Sequence, residues 1–313
     1  MGIWEQLGAV PGRIRTMSNS ASTPEGVILE HVVCALCGQD GAPPILQGRD
    51  IRRGVPGEFR VVRCKNCGLA YIDPRPTRET IGRYYPPDYS YHRPGPPSLP
   101  ESIYYRLFRS APVPPGSRVL DVGCGGGGYL FFLRDRGYRV VGVEPNAEVV
   151  RILREQSDLE VHAGELLDVD FPDASFDAIT FWQVLEHTHQ PLEVLREAHR
   201  MLRPGGHVVV ALPNFESLAR SIFGANWHHI DIPGHLYQFG PQPLTKLMEK
   251  SGFDVYRVRQ DLIAKEFAPS LGYRLGLRHS LDRVLPNILA LPFDLLAWAL
   301  RRSGLMTAYA KRA

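Results

Sequence analysis

No stretch of this chain offers the ~18 uninterrupted apolar residues that a membrane-crossing helix needs. Met1 to Met17 holds neither the apolar core of about 7–15 residues nor the small-residue cleavage site expected of a secretory signal. Gln6 stands where acylation of Gly2 calls for Ser or Thr. Charge of one sign is also scarce. The net charge of +3 is too small to argue for nucleic acid, which asks for a concentrated basic face. Only five cysteines occur, four of them in two C-x-x-C pairs, which suits a reducing, cytoplasmic setting and metal binding better than disulfides. Core material is not lacking. Hydrophobic residues make up 44% of a chain of 313, longer than one typical domain, so a main domain with an appendage is expected.

The stretch richest in chemistry is Arg118-Val-Leu-Asp-Val-Gly-Cys-Gly-Gly-Gly-Gly-Tyr129. Val119, Leu120 and Val122 read as a short buried strand, and a helix opens at about Tyr129. Between them Gly123, Gly125 and Gly127 leave the backbone bare, so a ligand can approach the unpaired N–H groups of the helix start. A second strand ends in Glu144, an acid about 20 residues past the glycines and so placed to accept from both hydroxyls of a ribose. Gly123, Gly125 and Gly128 also satisfy the dinucleotide spacing G-x-G-x-x-G, which keeps a nicotinamide or flavin enzyme open. Asp121 favours another ligand. It would repel a pyrophosphate but suits an ammonium, and a ribose joined to an amino acid describes S-adenosylmethionine. Cys124, inside the turn, reads as a small filler.

On these residues the chain resembles the class I S-adenosylmethionine-dependent methyltransferases, whose first motif is an acid followed by G-x-G-x-G. Val143-Glu-Pro-Asn146, Asp177-Ala-Ile-Thr-Phe-Trp-Gln-Val-Leu-Glu-His187 and Arg203-Pro-Gly-Gly206 continue the likeness across roughly 115–260. The resemblance implies an α/β fold with a Rossmann-like, seven-stranded methyltransferase sheet. It also implies that Glu165 accepts from the adenine amino group, that Leu166 offers a main-chain contact and that Gln183 completes the cofactor set. Local patterns fit such a domain over 101–313. Asn146 caps a helix over 147–156, Phe176 to Trp182 is apolar enough for a strand buried on both faces, and Pro191 opens a helix over 191–202.

Cys34-Ala-Leu-Cys37 and Cys64-Lys-Asn-Cys67 lie 26 residues apart, and Gly38 and Gly68 follow them, permitting left-handed knuckle turns. Four thiolates so arranged match a closed tetrahedral zinc site with no open position for catalysis. The module, 31–85, is too short to bury a core alone, so zinc would contribute folding energy directly. Residues 1–30 are expected to be mobile, and six prolines in 86–100 read as a stiff, extended linker. Tyr84, Tyr85, Tyr89 and Tyr91 read either as cleft-lining rings or as pins onto the domain surface. The run Cys64 to Pro76, with the tyrosines after it, resembles the zinc-ribbon methyltransferases of bacterial sugar and polysaccharide biosynthesis, sugar C-methyltransferases among them. It does not resemble the zinc-ribbon ribosomal RNA guanine methyltransferases.

In an open parallel sheet the ligand lies outside the carboxyl ends of the strands, where two histidine-bearing segments fall, Gln183 to His189 and Trp227 to Phe239. Methyl transfer asks for alignment and removal of a proton, for which histidine is suited. His187 and His235 are the candidate bases, His235 in a stretch resembling the W-x(n)-D-x-P-x-H-L-Y-x-F signature of the same bacterial family. His228, His229 and Asp231 are poorly suited to a metal, since neighbours on a loop rarely converge. The acceptor is expected to be a small molecule, a saccharide or a lipid-linked intermediate. An RNA acceptor held by the ribbon and a non-catalytic cofactor-binding scaffold stay open. Residues 261–306 insert an apolar stretch, 284–302, interrupted by Pro286, Pro292 and Asp294 and bordered by Arg274, Arg278, Arg283, Arg301 and Arg302. It reads as a packed helical hairpin or a homodimer face, and alternatively as an interfacial segment on the inner face of a membrane.

Overall fold

The structure, a computed structural model, describes residues 23–85, 93–262, 265–277 and 284–313. Most of the N-terminal segment expected to be mobile, the start of the linker with Tyr89 and Tyr91, and Arg278 and Arg283 lie outside the described residues. Five short strands come first: β1 (Leu29–Glu30), β2 (Pro44–Gly48), β3 (Phe59–Arg63), β4 (Ala70–Ile72) and β5 (Arg75–Pro76). After α1 (Leu99–Phe108) the chain alternates through β6 (Arg118–Val122), α2 (Gly128–Arg134), β7 (Arg139–Glu144), α3 (Ala147–Gln156) and β8 (Glu160–Ala163). It continues with β9 (Phe176–Trp182), α4 (Pro191–Met201), β10 (Leu202–Pro213), α5 (Leu218–Phe223), β11 (Tyr237–Gln238) and α6 (Pro241–Lys250). The last elements are β12 (Phe253–Asp261), α7 (Phe267–Arg274), α8 (Val284–Ala299) and β13 (Leu305–Arg312).

Seven strands form one Rossmann-like sheet in the order β12-β13-β10-β9-β6-β7-β8. The pairs from β10 to β8 are parallel, and β13 runs antiparallel to both neighbours. From β6 the chain winds outward through β7 to β8, then crosses back to β9 on the other side of β6. Strand order therefore reverses between β6 and β9, and a crevice opens at their carboxyl ends. Helix α3 starts where the sequence places its cap: Asn146 Oδ1 accepts from the Glu148 and Val149 amides at 3.1 and 3.2 Å.

The cysteine module leans on the larger domain. Its sheet, β2-β3-β4, is completed by β11 from the loop after β10, with Tyr237 opposite Tyr71 and Gln238 opposite Ala70. Lys250 Nζ donates to the Leu36 carbonyl at 2.6 Å, and Arg75 Nη1 to Tyr237 Oη at 3.0 Å. Cys34, Leu36, Leu69 and Tyr71 share one buried cluster with Leu120, Phe181 and Leu236. So short a segment cannot enclose apolar area alone and is covered by the domain beside it.

Helix α8 runs through Pro292, where the sequence reads as interrupted. The missing N–H leaves the Ile288 carbonyl without its helical donor, and Ile288 is exposed enough for water to serve it. Asn287 and Asp294 turn inward, whereas Leu285, Ile288, Leu289, Phe293 and Leu296 face out. Among the described residues no helix is long and apolar enough to cross a membrane.

Candidate active site

Asp121 lies one residue before the end of β6 and Glu144 ends the adjacent parallel strand β7, and both are buried. Asp121 Oδ1 accepts from Thr180 Oγ1 at 2.7 Å. Burial pushes its pKa up to about 6, against the pull of that hydrogen bond and of Arg109. Glu144 Oε2 accepts from the Gly125 amide and Oε1 from the Asn146 amide, both at 2.9 Å. Gly123 and Gly125 take φ of 68° and 53°, a region open to glycine. A Cβ at Gly123 would also lie 2.6 Å from Val184 Cγ2. A bare turn bracketed by two buried carboxylates is a donor set that fits S-adenosylmethionine, one acid for its ammonium and the other for its ribose.

The other expected contacts, Glu165, Leu166 and Gln183, follow the carboxyl ends of β8 and β9. Glu165 follows β8, its carboxylate 3.2 Å from Arg78 Nη2, and Asp168 grips the same guanidinium. The Leu166 side chain is buried in the core. Gln183 follows β9 with φ 61°, unusual for a non-glycine residue and a mark of a constrained site. It borders a small crevice with Tyr104, Arg109, Trp182, Asp261 and Thr307. The Arg109 guanidinium lies 5.0 Å from the ring centroids of both Tyr105 and Trp182. Sequence reasoning passed over Arg109 and Trp182; the aromatic pair just before Arg109 was the available signal.

His187 and His235, read from sequence as alternative bases, are brought together with ring centroids 4.6 Å apart. His187 Nδ1 lies 2.9 Å from the Gly234 carbonyl and 2.8 Å from Tyr85 Oη, and His235 Nδ1 lies 3.0 Å from the His229 carbonyl. A carbonyl only accepts, so each Nδ1 carries the proton and each Nε2 keeps its lone pair. Burial lowers both pKa values, that of His235 to about 3 with the help of His187. Between them Glu186 is buried, and among the described residues neither carboxylate oxygen has a hydrogen-bond partner. Burial pushes its pKa up to about 8. Burial would raise Asp231 too, but His235, Arg52 and Arg53 hold it well below the usual carboxylate range, Arg53 Nη1 at 2.7 Å. That engagement takes Asp231 away from any metal set with His228 and His229. Tyr84 is a pin: it is buried, with Oη donating to the Pro56 carbonyl at 3.0 Å, while its neighbour Tyr85 reaches His187.

In the cysteine module the four sulfurs lie within 4.8 Å of one another, with Cys34 to Cys67 and Cys37 to Cys64 at 3.4 Å. Two thiolates ~2.3 Å from a shared zinc would be about 3.8 Å apart, so the set fits that ion with small adjustment. The Gly38 amide donates to the Cys34 carbonyl at 2.8 Å and the Gly68 amide to the Cys64 carbonyl at 3.0 Å, closing two matching knuckles.

The family model described as Methyltransferase domain matches residues 99–258, just over half of the chain. The chain belongs to this family. Its fold and first motif place the domain among the class I S-adenosylmethionine-dependent methyltransferases. A Mycolicibacterium smegmatis protein whose name reads probable S-adenosylmethionine-dependent methyltransferase is 31% identical over 156 residues, 50% of this chain and 58% of that one. A ubiquinone biosynthesis O-methyltransferase of Cereibacter sphaeroides is 34% identical over 157 residues, 46% of this chain and 64% of the relative. The matched part thus spans less than two thirds of either relative's own length. A chain of the Haloferax volcanii complex between the Trm112 methyltransferase activator and a methyltransferase shares the fold, with TM-score 0.50 at 20% identity, covering 67% of this chain and 88% of that one. The family match begins at residue 99 and leaves the cysteine module outside it.

Proposed function

We propose that the protein transfers a methyl group from S-adenosylmethionine to a small-molecule acceptor, a saccharide or lipid-linked saccharide intermediate. The observation that carries this reading is the convergence of His187 and His235 beside the glycine turn, since Val184, three residues before His187, touches the place of Gly123. S-adenosylmethionine, when bound, supplies a methyl group on a sulfonium, open to attack by a nucleophile. Asp121 would hold the ammonium and Glu144 the ribose hydroxyls; Glu165, the Leu166 main chain and Gln183 would complete the grip. Gly123, Gly125 and Gly127 let that ligand approach the α2 start. The Nε2 of His235 or His187 would take the acceptor's proton, with Tyr85 and the Gly234 carbonyl orienting the His187 ring.

Zinc on Cys34, Cys37, Cys64 and Cys67 is structural in this reading, holding the module that carries Tyr85 and pairs with β11. A small-molecule acceptor is supported by three of the ribbon's basic residues being spent inward, Arg52 and Arg53 on Asp231 and Arg75 on Glu30 and Tyr237, while Arg49, Arg60 and Lys65 stay exposed. The ubiquinone methyltransferases among the relatives bear names of the same acceptor class. Exposed apolar residues along α8, with Trp298 and the cations Arg274, Arg301 and Arg302 at its border, support contact with an anionic membrane face. Incubation with methyl-labelled cofactor and host extract, split into soluble, RNA and membrane fractions, tests the reading. Label is expected in soluble or lipid-linked saccharide; label in RNA would overturn it.

A further inference from the structure

Proton transfer does not account for Glu186. The residue is 1% exposed and neither carboxylate oxygen has a hydrogen-bond partner among the described residues, a condition that calls for a proton, a bound ion or a catalytic role. Beside it stand two imidazoles whose Nδ1 protons are both committed to backbone carbonyls, His187 to Gly234 and His235 to His229. Carboxylate and imidazole atoms of the three residues lie within 4.8 Å of one another. The three side chains thus bring acceptor atoms together around one place, where a proton on Glu186 or a cation would relieve their repulsion. The Nδ1–H to carbonyl bonds are the supports by which proteins orient metal-ligating histidines.

We propose that Glu186, His187 and His235 bind a divalent transition-metal ion, at a site separate from the four cysteines. Two imidazole nitrogens and one carboxylate oxygen suit Zn²⁺, Mn²⁺, Fe²⁺ or Co²⁺ rather than Ca²⁺ or Mg²⁺, which prefer all-oxygen shells. Ligands ~2.1 Å from one ion sit about 3–4 Å apart, so the set closes with side-chain shifts of under about an ångström. Three protein ligands leave coordination positions open, and His187 is only partly buried. Those positions take oxygen atoms of the acceptor, a part of the proposal that rests on the methyl-transfer reading and that replaces the histidine-base role, since both Nε2 lone pairs would be on the ion; ion binding itself does not rest on it. Asp231, 3.8 Å from His235 Nε2, offsets the charges of Arg52 and Arg53 behind the site.

The test uses the full chain with its cysteine site loaded with zinc, titrated with Mn²⁺ or Co²⁺ alone and followed by calorimetry and metal analysis. One equivalent beyond the cysteine-bound metal is expected. Glu186→Gln and His235→Ala should each weaken it by more than the ~10–100-fold that loss of a supporting residue causes, with the cysteine-bound metal retained. Absence of a second equivalent in the wild type at millimolar metal overturns the proposal, as do variants that bind like the wild type. If a variant loses the cysteine-bound metal and so misfolds, the Co²⁺-loaded wild type decides. Paramagnetically shifted signals from two imidazole N–H protons support the site, and their absence sinks it. No second ion, together with turnover abolished by His187→Ala and His235→Ala while cofactor still binds, would leave the base reading standing alone.

Discussion

Asp121 is buried against Thr180, and the fold disfavours its charged form. It therefore contributes stability below its ordinary pKa of 3.8, and that contribution is lost as pH rises through about 6. Cofactor binding runs the other way, because an ammonium needs the carboxylate ionised. Affinity for S-adenosylmethionine, followed by calorimetry, is expected to strengthen between about pH 5 and pH 7. Asp121→Asn should weaken it about tenfold or more, the worth of a charged hydrogen bond, and flatten the pH dependence. A wild type with flat affinity across that range would contradict the assignment. Asp231 carries a different expectation. Arg53→Ala removes its 2.7 Å partner and leaves a buried carboxylate with Arg52 at 3.5 Å, so a loss of about 3 kcal/mol is expected in denaturant unfolding. Asp121 and Glu144 were legible in the sequence because each ends an apolar run next to glycines. The set of Glu186, His187 and His235 was not, because residues about fifty apart meet only when two loops are laid together.

Among the elements, the glycine turn has the narrowest tolerance. A Cβ at Gly126 would fall 1.9 Å from the Arg93 carbonyl oxygen, and Gly95 donates to the Gly126 carbonyl at 3.0 Å. Backbone cannot yield as a side chain does, so Gly126→Ala should displace the segment at 93–95. We expect a lower Tm, equivalent to about 1–3 kcal/mol, and faster proteolysis after residue 93. Unchanged proteolysis would show that the segment does not seat there. The cysteine knuckles were readable from spacing and their following glycines. Their consequence for the site was not, since β11 and Tyr85 join them to the histidine-bearing segments only through pairing across the chain. Chelation of the zinc proposed for the four cysteines, checked by metal analysis, is therefore expected to lower Tm and abolish turnover together. Turnover that survives complete metal loss would break that link.

For the molecule as a whole, the open question is what covers α8. Leu285, Ile288, Leu289 and Phe293 form an outward stripe at helical spacing, while Asn287 and Asp294 turn inward. Replacing Leu285 and Leu289, the most exposed of them, with Asp should abolish co-sedimentation with anionic vesicles at low salt and leave Tm and cofactor affinity unchanged. Wild-type protein that never pellets but sediments as a dimer would assign the stripe to a second copy instead. While the sheet followed from the family resemblance, sequence by itself determined the strand, glycine turn and helix start with its acid, and the cysteine pairs. Each is written in short-range periodicity or spacing, where neighbours along the chain are neighbours in space. Only the tertiary structure decided that the ribbon's sheet is finished by a strand from the catalytic domain, that His187 and His235 share one site with a buried Glu186, and that α8 turns its apolar side outward. Those outcomes depend on which distant surfaces exclude water from one another, and a linear pattern does not record that.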